Sequence, residues 1–184
     1  MNLFQLIKSD YRKYKKYGGS FFGIIFLTQG FWAIFQYRIA HFIYSKIKWQ
    51  PFRFLGLFMM LINQKIIEII TGISISAASK IGHSFYIGHF GGIIINANAV
   101  VGNNCNISQG VTIGVSGRGE KRGIPVIGDE VYIGVNAVVS GNIRIGNGVL
   151  IGACSMVNTS VEDNSVVLGV PAVVISQNGS KGYI

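Results

Sequence analysis

The chain has 184 residues, about half of them hydrophobic and only 12% charged. That composition excludes a disordered chain and leaves ample apolar surface for a core. The formal charge of +9 is uneven: residues 1–70 hold ten basic and two acidic residues and 17 of the 22 aromatics, whereas residues 71–184 hold six and five and most of the 25 glycines.

Net charge alone would suggest nucleic-acid binding, but no binding motif accompanies it and that partner is excluded. Two cysteines, Cys105 and Cys154, make no disulfide framework and read as small buried thiols in a reducing cytosol. No signal peptide is visible, so the expected location is cytoplasmic.

The N-terminal half opens with a cationic cluster, Lys8–Lys16. The uncharged stretch Tyr17–Tyr37 that follows is long enough to span a bilayer. Gly18, Gly19, Ser20, Thr28, Gln29 and Gln36 weaken that reading, and a helix packed against other protein is favoured over a surface-lying element or a span. Apolar residues dominate Phe21–Tyr44 and Phe52–Ile70, and Lys65–Ile70 is expected to lead helically into the next region. A basic, aromatic-rich half also suits an anionic bilayer, so peripheral contact with the inner membrane face is a hypothesis from sequence.

After residue 70 an aliphatic recurs at every sixth position. Ile75, Ile81 and Ile87 form one run, Ile95, Val101, Ile107 and Ile113 a second, and Ile127, Ile133, Val139, Ile145, Ile151 and Val157 a third. A helix would need a period of about 3.6 and a lone strand a period of about 2. Six fits a short strand and a turn. Three such sides close one coil, which stacks Ile133 on Ile151 and Ile127 on Ile145. Glycine after the aliphatic is expected at corners needing unusual backbone angles. The uncharged stretch Ile81–Gly117 belongs to this repeat. Two breaks interrupt it, one at His89–Gly92 and a longer one at residues 114–126, and loops leaving a rigid scaffold often carry function.

The pattern resembles the hexapeptide-repeat acyltransferases, which implies a left-handed parallel β-helix at residues 71–175, an N-terminal helical region at 1–70 and a tail at 176–184. Within them it resembles the serine acetyltransferase branch: Tyr37-Arg-Ile-Ala-His41, Ile87-Gly-His89-Phe-Gly-Gly92, Gln109-Gly-Val-Thr-Ile-Gly114 and Val167-Leu-Gly-Val-Pro-Ala172 each match one of its motifs. The resemblance is closest to the colanic acid and capsular polysaccharide O-acetyltransferases, which share Ile95-Asn96 and lack the same serine-site residues.

The resemblance implies acetyl-CoA as co-substrate and His89 as general base for an acceptor hydroxyl, a task a neutral imidazole suits. The family aspartate that orients the base falls on Ser74, the one before the histidine on Gly88, and the arginine and histidine that hold the serine carboxylate on Gly123 and Ile124. Glycine and isoleucine side chains cannot pair with a carboxylate. A hydroxyl of a sugar or polysaccharide, in surface-glycan biosynthesis, is therefore the expected acceptor, with serine O-acetylation for cysteine biosynthesis as the alternative and a non-catalytic trimeric scaffold as the alternative of another class. Ser74, Asn96 or a backbone carbonyl would orient His89. His83 reads as structural or supporting, and His41 as a packing or capping residue. By the same resemblance CoA would contact Gly114, Ser116, Gly117, Arg118, Gly134, Val135, Gly152 and Ala153 in a groove between protomers of a homotrimer, with residues 1–70 available to join two trimers. Lys121 and Arg122 are further candidates for its phosphates, as is Lys181, because the family's basic residue after the proline motif is Val173. No metal is expected: a zinc site of three histidines is out of reach when the repeat half holds only His83 and His89.

Overall fold

The structure, a computed structural model, describes residues 1–184 apart from the Lys121 side chain. Three helices come first: α1 (Leu3–Lys16), α2 (Gln29–Lys46) and α3 (Gln50–Thr71). Asn2 and Gln5 cap α1 reciprocally, and Lys13, Lys15 and Lys16 sit in its last turn, where the helix dipole favours cations. Pro51 opens α3, and Gly72, at φ +66°, ends it in the left-handed conformation.

The stretch Tyr17–Tyr37 is not one helix. Gly18 at φ +87° turns the chain out of α1, a π-helical turn spans Gly23–Leu27, and Thr28 is extended before α2 starts. Among the described residues α3, rather than that stretch, is the helix long and apolar enough to cross a membrane.

The remainder winds into a three-sided prism. Face 1 stacks β1 (Ile73–Ile75), β4 (Ile93–Ile95), β7 (Thr112–Gly114), β10 (Val138–Ser140) and β13 (Met156–Val157). Face 2 stacks β2 (Lys80–Ile81), β5 (Val100–Val101), β8 (Val126–Ile127) and β11 (Arg144–Ile145). Face 3 stacks β3 (Tyr86–Ile87), β6 (Asn106–Ile107), β9 (Tyr132–Ile133), β12 (Leu150–Ile151) and β14 (Val166–Gly169). All of these ladders are parallel; β15 (Ala172–Ser176) folds back antiparallel on β14 and ends the stack. This is the left-handed parallel β-helix with N-terminal helices expected from the sequence.

The aliphatic register is also as expected. Ile133 pairs with Ile151 and Ile127 with Ile145, a separation of three repeats. The separation is two positions longer across the first break, where Ile75 pairs with Ile95, and eight longer across the second, where Ile107 pairs with Ile133. Both breaks are thus extra residues extruded at corners while the inward aliphatics keep their stack. Every repeat aliphatic is buried, and so are Ala99, Cys105, Val111, Val131, Ala137 and Val149, each two positions before one of them.

The glycines that follow the aliphatics have a different cause from the one expected. Their backbone angles are ordinary, but a Cβ on Gly134 would lie 2.7 Å from the Ala153 nitrogen and one on Gly128 2.6 Å from Asn147 Oδ1, so it is the neighbouring coil that excludes a side chain. The left-handed residue comes two positions later and is seldom glycine: Ser84, Asn104, Glu130, Asn136, Cys154 and Asn164 have φ between 55 and 58°. Cys154 is therefore an exposed corner residue, contrary to its reading as a buried thiol; Cys105 is buried, and burial pushes its thiol up to about 11.

A parallel stack leaves an open edge of unpaired backbone at its first coil, and such edges invite pairing with other chains. Here side chains of the helices close it. The Tyr14 hydroxyl accepts from the Ile87 N–H and donates to the Ile87 carbonyl, and Tyr37 does the same between Ile81 N–H and Ser79 C=O. Arg38, fully enclosed, pairs with Asp10 through two nitrogens and donates to the carbonyls of Ile81 and Gly82, while Asp10 also accepts from the Phe85 N–H. His41 donates to the Ala77 carbonyl, which fits its reading as a capping residue. The motif Tyr37–His41 is a docking strip for the first coil.

Candidate functional site

His89 leaves the coil at the first break, on the corner where face 3 turns into face 1. The ring is exposed, and among the described residues neither of its nitrogens has a hydrogen-bond partner. Gly72, at the end of α3, packs under the break, where a Cβ would meet the Gly91 Cα at 3.1 Å. Phe90, next in the chain, and Ile94 on β4 are exposed as well.

The same corner continues through every coil. Gly110 N–H donates to the Gly91 carbonyl, Asn136 N–H to that of Gln109, and Cys154 N–H to that of Val135. His89, Gln109, Gly134, Val135, Gly152 and Ala153 therefore share one edge of the prism. On that edge Gln109 Oε1 is a buried acceptor with no partner, a group that a bound donor would satisfy.

The other residues expected to meet CoA lie elsewhere. Gly114, Ser116, Gly117 and Arg118 leave face 1 at its opposite corner, toward face 2. That loop is pinned into a hairpin by paired bonds between Ser116 and Gly123 and carries a 3₁₀ turn at Gly119–Lys121. A Cβ on Gly114 would make only an ordinary contact, 3.5 Å from Thr112 Cγ2, whereas one on Gly134 would lie 2.7 Å from the Ala153 nitrogen of the adjacent coil. Arg118 is exposed and Arg122 extended at the hairpin's exit; the Lys121 side chain lies outside the described residues. Lys181 lies on the corner between faces 2 and 3, by Asn104 and Glu130, away from the His89 edge. One protomer thus divides the expected CoA contacts between two edges.

Each of the expected supporting residues has its hydrogen bond elsewhere than on His89. Ser74 Oγ donates to Glu68 Oε1 at 2.7 Å, and Asn96 Oδ1 accepts from the Asn98 backbone. His83 sits on the corner between faces 2 and 3, with its Nδ1 3.1 Å from Ser84 Oγ. Glu68 is the residue the sequence reading missed. It comes from the last turn of α3 and brings a carboxylate to Ser74. Burial raises its pKa, but hydrogen bonds from Lys65, Ser74 and Gln64 outweigh that and hold it below the usual carboxylate value. The only sequence signal was the helical spacing of Gln64, Lys65 and Glu68 just before Ser74.

Gly123 and Ile124 offer no charge. A Cβ on Gly123 would lie 2.7 Å from Asn142 Cβ, so that position is closed to any side chain, and Ile124 packs on the core.

A parallel β-helix of six-residue repeats, with a projecting histidine and a hairpin extruded from its coils, defines a hexapeptide-repeat acyltransferase. The family profile "Bacterial transferase hexapeptide (six repeats)" matches residues 124–159. The chain is 39% identical over 162 residues to the serine acetyltransferase of Bacillus subtilis strain 168, a match covering 88% of this chain and 71% of that protein. The crystal structure of serine acetyltransferase from Brucella abortus strain S19 superposes with a TM-score of 0.81 at 29% identity, covering 95% of this chain and 69% of that one. The same enzyme in complex with coenzyme A gives 0.82 at 28% identity, covering 95% and 68%. The chain belongs to the serine acetyltransferase family. These relatives carry that name, and not the name of the colanic acid and capsular branch to which the sequence motifs were assigned.

Proposed function

We propose that this chain moves an acetyl group from acetyl-CoA to an alcohol, with His89 as general base. The observation that carries this is a free imidazole projecting at the break of an otherwise sealed coil, on the edge it shares with the unpartnered Gln109 acceptor. Acetyl-CoA supplies the acetyl group as a thioester. His89 takes the proton of the acceptor hydroxyl as the new C–O bond forms, then gives it to the sulfur as the C–S bond breaks. Ser74 commits its own hydrogen to Glu68, which leaves its lone pairs free to accept from the imidazolium and steady it. The division of the CoA contacts between two edges supports a homotrimer, in which the hairpin of one copy meets the His89 edge of the next.

L-serine is the acceptor supported by the relatives, whose names and similarity cover most of the chain. A sugar hydroxyl is the second reading, and a specific observation favours it: the positions that would clamp a carboxylate are the closed Gly123 and the core-packed Ile124.

Thiol release from acetyl-CoA, measured against L-serine, sugars, nucleotide sugars and polysaccharide, tests both. Replacing His89 by Ala is expected to lower turnover by about 10²–10⁴-fold. Undiminished turnover would remove His89 from the mechanism. Sugar turnover well above that of serine would select the second reading. Cys154, exposed beside Ala153, gives a binding readout independent of turnover: acetyl-CoA is expected to slow its labelling by a maleimide.

A further inference from the structure

Helix α3 is strongly apolar, yet only 6% of its most apolar 18-residue window is fully buried. From Phe54 to Ile62 it carries no charge, and Phe54, Leu55, Phe58, Met59, Leu61 and Ile62 are all exposed, Phe54 by 73%. Its inner side is used: Gly56 lies against Ile43 of α2, and Gln36 of α2 donates to the Met60 carbonyl.

The apolar surface does not end with α3. A groove of about 410 Å³ between α3 and α2 is lined by Ile25, Phe31, Phe35 and Met60, and a second groove shares Ile25, Phe31 and Phe35 and runs on to Phe4 and Tyr11 of α1. Phe22, Phe26 and Leu27, in and beside the π-helical turn, are exposed as well. Continuous apolar surface on this scale marks an interaction site.

Its rim decides what it meets. Lys8 lines the second groove, Lys15 follows it two turns on along α1, and Lys46 and Lys48 stand just before the exposed Trp49, at the entry to α3. The only acidic residues among positions 1–70 are engaged, Asp10 by Arg38 and Glu68 by Lys65. A second copy of the same face would set like charges against each other. An anionic lipid surface instead complements the cations, accepts the apolar face among its acyl chains and seats Trp49 and its stacked neighbour Phe52 at the headgroup level.

We propose that the helical half docks on an anionic bilayer, with the outer face of α3 and the aromatic surface joined to it lying in the interface and Lys8, Lys46 and Lys48 at the phosphates. Helix α3 lies on the membrane and does not cross it, because α2 covers one side and Gly72 ties its end to the first coil. The docking is independent of which acceptor the enzyme uses.

The test is flotation of the full chain with phosphatidylcholine vesicles, alone or with about 30% phosphatidylglycerol, at low salt and at about 0.5 M salt. Binding is expected to the anionic vesicles, to fall in high salt, and to shift Trp49 emission to the blue. The pair Phe54→Glu and Phe58→Glu, and separately Lys46→Glu and Lys48→Glu, are each expected to weaken binding by about tenfold or more while far-ultraviolet dichroism and mass by light scattering stay unchanged. Failure of the wild-type chain to float, or flotation of the Phe54→Glu/Phe58→Glu variant like wild type, would overturn the proposal. So would a drop in oligomer mass in that variant with vesicle binding unchanged, which would assign the face to a second copy.

Discussion

The two halves bury their apolar residues in opposite ways. In the prism each inward aliphatic rests on the equivalent residue one coil away, and from Ile87 to Ile151 none of them is more than 2% exposed. In the helical half the buried side chains include those that close the first coil, Tyr14, Tyr37, Arg38 and Asp10, while most of the phenylalanines remain in solvent. A repeat supplies its own partner at every step. Helices with a single docking strip satisfy only that strip, and what they leave uncovered must find its cover outside the chain. The difference separates stability from association.

That contrast is easiest to break at the joint between the halves. Asp10→Ala strands the Arg38 guanidinium, 2% exposed, and frees the Phe85 N–H, so a loss of about 3–5 kcal/mol is expected in urea denaturation. A loss below about 1 kcal/mol would mean that the helices are not welded to the coil through this pair.

Within the prism Ile133→Ala empties a fully buried site between two coils, for an expected loss of about 2–5 kcal/mol. The matching change on the helices, Ile62→Ala on the outer face of α3, is expected to stay within about 0.5 kcal/mol. Similar losses at the two sites would show that α3 is already covered within the protein.

The smallest effect is in pH. Burial, with a minor opposing contribution from neighbouring groups, lowers the pKa of Lys13 to about 8, although its ammonium donates to both oxygens of Asn104. A lowered lysine binds fewer protons folded than unfolded between about 8 and its free value of about 10.4, so this residue's contribution makes stability rise with pH across that window. At neutral pH its cost is fully present. Lys13→Met is expected to flatten that rise in denaturation midpoints measured from about pH 7.5 to about pH 10.

Much of this was written in the sequence because a solenoid is nearly one-dimensional. The six-residue spacing of Ile75 through Val157 set the coil length, the stacking register and the two interruptions, since each residue's partner lies at a fixed distance along the chain. The interruption at His89–Gly92 also contains the histidine that the family resemblance made the general base. Three things depended on contacts between distant segments. Glycines after the aliphatics such as Gly128 and Gly134 answer to the next coil and not to their own backbone. Glu68 reaches Ser74 only because α3 ends against the first strand. The positions expected to meet CoA fall on two edges because the hairpin leaves from the far corner of face 1. Local chemistry and period are properties of the sequence by itself; which side chains meet across the fold, and which apolar faces stay open, were decided by packing alone.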